Sequence, residues 1–173
     1  MKRYSTIFAA MTVVCAGAFA QENPVSTGTK QLYGMIKGNL VKAAEKMPEE
    51  NYSFKPTPEV RSFAQLVGHV ADANMMFCAA VKGDKVTPKA EKTMTSKADL
   101  VGAVKDAVNY CDSVYNSMTD AAGAQTVKLF GRDMPKLTIL DFNVAHDNEH
   151  YGNIVTYMRL KGLVPPSSEN AGR

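Results

Sequence analysis

Two histidines stand four positions apart, His146 and His150, and a third, His69, lies far upstream. These are the three histidines of the 173-residue sequence. On a helix an i,i+4 pair falls on one face, one turn apart, so both imidazoles can reach a single ion. His69 sits among Leu66, Val70 and Ala73, on or beside an apolar stripe. A lone histidine there is ordinarily a hydrogen-bonded core residue. Paired with His146 and His150 across a helix interface, it becomes the third ligand of a divalent metal. Three neutral imidazoles leave a fourth position for water or substrate. Imidazole nitrogen suits zinc, nickel and copper better than magnesium or calcium.

Other groups fall on the same faces. Asp72, one turn after His69, is a candidate to orient an imidazole or act as general base, or else a solvated charge. Asn153 and Tyr157 share a face with His146, as do Ile139 and Phe142. They either line a pocket or simply pack. His146-Asp147-Asn148-Glu149-His150 also reads H-x-x-E-H, an inverzincin pattern with Glu149 as general base. That architecture needs a further carboxylate ligand well downstream, and the one acid after His150 is Glu169. No C-x-x-C-H haem attachment is present.

The elements that must position these residues show helical period. The first runs from about Thr29 to Met47, with Leu32, Met35, Ile36, Leu40, Ala43, Ala44 and Met47 as its stripe, and Pro48 stops it. The second opens on the capping box Ser62 and Gln65 and ends near Gly83. A polar, lysine-rich loop follows. The third opens at Ser96 with Asp99, runs to about Met118, and carries Leu100, Val104, Ala107, Val108, Cys111, Val114 and Tyr115. Thr126 to Phe130, followed by Gly131-Arg132-Asp133, reads as a short hairpin arm. The fourth helix is expected to open at Thr138, with Asp141 three residues on, and to end at Gly162 before Pro165 and Pro166. The fold class is therefore all-α, a four-helix bundle over residues 25–166 with a hairpin arm before the last helix.

The ends read differently. Lys2 and Arg3, an apolar run from Ile7, and Ala18-Phe19-Ala20 form a secretory signal peptide, residues 1–20, cleaved after Ala20. The apolar run is too short to span a bilayer. A secreted or periplasmic destination is expected. Residues 167–173 read as a loose polar tail. The net charge of +3 comes from 20 basic and 17 acidic residues, and loss of Lys2 and Arg3 leaves 18 against 17. A near-neutral chain with no basic block makes no case for nucleic acid, and no later run suits a membrane helix. Cys15 leaves with the signal. Cys78 and Cys111 are then either two small buried residues or one disulfide, which an oxidising compartment permits.

Three segments together carry a resemblance. Ser62-Phe63-Ala64-Gln65-Leu66-Val67-Gly68-His69-Val70 resembles the second helix, with its first histidine ligand, of the DinB-like superfamily of metal-binding four-helix bundles. His146 to Ile154 resembles that family's H-x-x-x-H segment, and Tyr157 to Pro166 its arginine, glycine and proline ending. The likeness runs from about Lys30 to Pro166. Asn153 stands where many relatives have glutamine. The resemblance implies a bundle, often a homodimer, holding zinc, nickel or a similar ion through three histidines. The superfamily includes YfiT-type proteins regarded as hydrolases and mycothiol-dependent enzymes. It thus implies a metal-dependent hydrolase or transferase acting on a small molecule, or a non-catalytic module stapled by the metal.

Overall fold

The computed structural model describes residues 22–169. The expected signal peptide, with Cys15, and Gln21 lie outside these residues. Among the described residues, six α-helices and one hairpin follow in the order α1 (Pro24–Lys46), α2 (Phe63–Lys82), α3 (Ala90–Thr93), α4 (Lys97–Ser117), α5 (Asp120–Gly123), β1 (Thr126–Leu129), β2 (Arg132–Pro135) and α6 (Lys136–Leu160). The four long helices form the expected bundle. α1 packs on α4 and α6, and α2 packs on the same two, so α1 and α2 stand diagonally opposed. Helices consecutive in sequence are therefore not all neighbours around the bundle.

Local signals explain most boundaries. Ser62 accepts from the Gln65 backbone N–H while the Gln65 side chain accepts from the Ser62 N–H. This satisfies two donors that a helix start leaves free. Gly83, at φ 89°, closes α2 in the left-handed conformation that favours glycine. Ser96 caps α4. All seven residues of the α4 stripe read from the sequence are buried.

Four expectations need correction. α1 begins five residues earlier than expected, at Pro24, because the Asp120 carboxylate accepts from the Val25 and Ser26 N–H groups and serves as a cap from a distant segment. Leu32 and Met35 are exposed, and Tyr33 takes the inward place, stacked on Tyr115 with ring centroids 4.0 Å apart. α6 begins at Lys136, not at a cap formed by Thr138. Asp141 instead accepts a hydrogen bond from the Thr29 hydroxyl at 2.7 Å, tying α6 to α1. At the other end, residues 167–169 of the supposed tail are docked. The Ser167 N–H donates to the Tyr151 hydroxyl, and Lys46 pairs with Glu169.

The hairpin arm is present. Val127 pairs with Met134 and Leu129 with Arg132, around a two-residue turn of Phe130 and Gly131. Both turn residues have positive φ, 51° and 77°. This is the mirror-image turn that matches strand twist. Cys78 and Cys111 form a disulfide between α2 and α4, with Cα atoms 5.4 Å apart. The bundle interior also holds polar groups. Asn74 donates to Asp147 at 2.6 Å, and Asn143 donates to Asn74 and to the Tyr115 hydroxyl. Asp147 is fully buried, and burial pushes its carboxyl up to about 7.

Candidate metal centre

α2 delivers His69 and α6 delivers His146 and His150 to one point of their interface. The Nε2 atom of His146 lies 3.2 Å from that of His69 and 3.0 Å from that of His150. One ligating nitrogen from each ring can be chosen so that all three lie within 4.8 Å of one another. A tetrahedral ion with nitrogens at ~2.0–2.1 Å spaces its ligands about 3.3 Å apart. The separations of the Nε2 pairs therefore fit a single small ion. Three ring nitrogens this close, drawn from two helices, are the donor set that a shared cation would use.

His69 is fixed by a residue that the sequence reading missed. Its Nδ1 lies 2.9 Å from Glu91 Oε2. A carboxylate can only accept, so Nδ1 carries the proton and Nε2 presents its lone pair. A carboxylate behind a ligating imidazole sets its tautomer and raises its basicity. Arg61 donates to the other Glu91 oxygen at 2.7 Å. Burial pulls the Glu91 carboxyl upward, but the hydrogen bonds from Arg61 and His69 outweigh this and hold it below the ordinary carboxylate range.

Asp72 takes neither of two roles open to it from the sequence, an orienter of an imidazole or a solvated charge. Its two oxygens accept from the backbone N–H groups of Ala90 and Glu91 at 2.8 and 3.0 Å. It caps α3 and so sets the position of Glu91, acting on His69 at one remove. Gly68 makes the approach possible. A Cβ there would lie 2.7 Å from the Glu91 Cα and backbone nitrogen. The sequence offered only this glycine beside His69 as a sign of a close neighbour. Glu91 itself is 22 residues away, in a stretch that reads as loop.

Glu149 is exposed and lies on the wall of neither cavity beside the histidines. Burial, with the nearby His150, His69 and Arg61, pushes His146 down to about 4. Burial and His69 also lower His150, against an opposing pull from Glu149. In both rings the shift favours the neutral form, the form in which imidazole binds a metal.

Two cavities meet at the cluster. One, of about 750 Å³, is polar and is walled by His150, Arg61, Glu91, Asn153 and Tyr157 among others. Asn153 and Tyr157 therefore do line a pocket. Tyr157 also packs as a structural residue, its hydroxyl donating to the Arg61 carbonyl at 2.6 Å. The second cavity, of about 390 Å³, is walled by His69, His146 and mainly apolar side chains. Small molecules thus have room on both sides of the three rings.

A four-helix bundle with three histidines converging from two of its helices defines a class of helical, metal-site proteins. The chain belongs to the DinB superfamily, whose family model matches residues 35–154. It is similar to the uncharacterized protein YjoA of Bacillus subtilis, at 25% identity over 122 residues, 69% of this chain and 79% of that protein. A DinB-like protein from Bacillus cereus superposes with a TM-score of 0.72 at 20% identity, over 81% of this chain and 95% of that one. The mycothiol-dependent maleylpyruvate isomerase superposes with a TM-score of 0.62 at 16% identity, over 75% of this chain and 60% of that one. At these identities the two structures share the fold.

Proposed function

We propose that this chain is a metal-dependent hydrolase or transferase of the DinB superfamily acting on a small molecule. His69, His146 and His150 hold one divalent ion, zinc or nickel. The observation that carries the reading is the convergence of three Nε2 atoms between two cavities. A bound ion of this kind polarises a carbonyl or lowers the pKa of its water. The chain's own part is to present three neutral imidazoles, fix His69 through Glu91, and leave space for a substrate. Asp72 lines the smaller cavity but its oxygens are taken by backbone N–H groups, and Glu149 lies outside both cavities, so Glu91, bonded to His69, is the carboxylate tied most directly to the rings. That scarcity of a free base favours a second reading, a non-catalytic module in which the metal captures a ligand.

The proposal includes export by the signal peptide, and the Cys78–Cys111 disulfide supports an oxidising compartment. It includes a homodimer, for which exposed Leu32 and Met35 on α1 offer apolar surface. Sedimentation gives the mass. Metal analysis after dialysis tests the centre. One ion per chain is expected in the native protein, and none in His146→Ala. A native chain that retains no ion sinks the reading. Release of a product from activated esters or amides by the loaded chain separates the enzyme from the binding module.

A further inference from the structure

The apolar cavity is built against the histidines themselves. Its walls bring His69, His146 and the backbone-bonded Asp72 together with Met76, Phe77, Phe130 and Phe142. Phe77 meets Phe130 and Phe142 edge to face, with ring centroids 6.2 and 5.3 Å away, and meets His146 at 5.7 Å. The aromatic wall is therefore continuous with a metal-binding ring. Phe130 and Phe142 remain 66% and 46% exposed, an unusual cost for aromatic side chains beside a polar site.

Phe130 is also held against the preference of its backbone. It occupies the first turn position between β1 and β2 at φ 51°. Asparagine, aspartate or glycine suits that position, and a bulky residue at positive φ is strained. The hairpin thus carries an aromatic side chain to the cavity where turn chemistry alone would place a small polar one. Strain of this kind is held where the surroundings give it a use.

The geometry points to a specificity pocket for an aromatic ring: the substrate carries a ring that seats between Phe77, Phe130 and Phe142 while its oxygen or nitrogen end reaches the ion at His69 and His146. This rests on the proposed metal centre and names the substrate class for it. The size agrees. An apolar cavity of about 150 Å³ holds benzene, so about 390 Å³ takes a ring with a short side chain. Edge-to-face partners are already arranged on two sides, and aromatic pairs prefer that geometry. The other cavity, with Arg61, Glu91 and Asn153 in its wall, is the more polar of the two.

The test uses two chelators with the same metal-binding end, acetohydroxamate and benzohydroxamate, titrated calorimetrically into the zinc-loaded chain. Zinc content is measured on each sample first. Benzohydroxamate should bind at least about tenfold more tightly, as burial of a ring implies. Phe130→Asn keeps the turn, since Asn-Gly is its favoured pair, yet removes the ring. That variant should hold its zinc and its melting temperature and lose most of the preference. Phe142→Ser should lose part of it. A loaded native chain that binds both probes equally overturns the pocket alone. So does a preference left unchanged in both variants. A native chain free of zinc overturns the metal centre and this inference with it.

Discussion

A proton on His69 Nδ1 is kept there by Glu91, and this gives the centre a testable asymmetry. Removing any one imidazole leaves two, too few to hold an ion in water against dialysis. His69→Ala, His146→Ala and His150→Ala should each lose the metal. If His69→Ala kept the native load, the α6 pair alone would be the site. Glu91→Gln is milder. Gln keeps an acceptor toward His69 but loses the charge and the Arg61 pair, so affinity should fall about 10- to 100-fold, as for other partners of ligating histidines. Competition titration with a chelator reads this. The pH dependence has a definite sign. His146 is depressed to about 4 and His150 is depressed as well. The unfolded chain therefore takes up protons that the ion-free folded chain does not. Their contribution to stability is full above about pH 6.5, the unfolded value, and is lost as pH falls toward 4. Melting temperature of the ion-free chain should drop across that window, and less so in His146→Asn. Histidines at their ordinary value would lose a metal to protons below about pH 6.5. The shift at His146 moves proton competition at that ring lower.

At the scale of elements, α3 matters more than its four residues suggest. It is docked on α2 by the Asp72 cap and by the close approach at Gly68. Gly68→Ala places a methyl carbon against the Glu91 backbone, where no flexible side chain can give way. The expected cost is about 1–3 kcal/mol, read by denaturant unfolding, together with weaker metal binding as Glu91 moves off His69. Unchanged stability would mean that α3 is not packed where the structure puts it. The same elements show why the sequence was legible in parts. α4 buries every residue of its stripe because one face meets the core and the other meets water. His146 and His150 were found because an i,i+4 spacing survives any packing. α6 was harder to bound, since its inward positions include Asn143, Asp147 and His150 alongside Ile139 and Ile154. A polar interior erases the stripe that periodicity needs. The start of α1 and the place of Glu91 depend on Asp120 and Asp72, which act across the fold. No rule of local spacing reaches that far.

Across the whole molecule, the disulfide and the histidine cluster tie different parts of one bundle. The cluster bridges α2 and α6. The disulfide joins α2 to α4 across a separation of 33 residues, with both cysteines fully buried. Closing a loop of that size restricts the unfolded chain by about 3–4 kcal/mol in the chain-entropy account. Leu100, Val104, Tyr115 and their partners also pack α4 against the core without the covalent bond. Loss of the bond should therefore lower stability while leaving the folded site able to bind. A Cys78→Ala, Cys111→Ala double variant tests this more cleanly than a reducing agent, which cannot reach buried sulfur without local opening. Its denaturation midpoint should fall by the equivalent of about 3–4 kcal/mol, and by somewhat more from the volume lost at two buried positions. Its metal content at neutral pH, well below the midpoint, should match the native chain. A double variant as stable as the native chain would mean that the bond does not form in solution, and the structural support for an oxidising compartment would go with it. A variant that stays folded but loses its ion would mean that α4 reaches the centre through α2, and the two fastenings would be one.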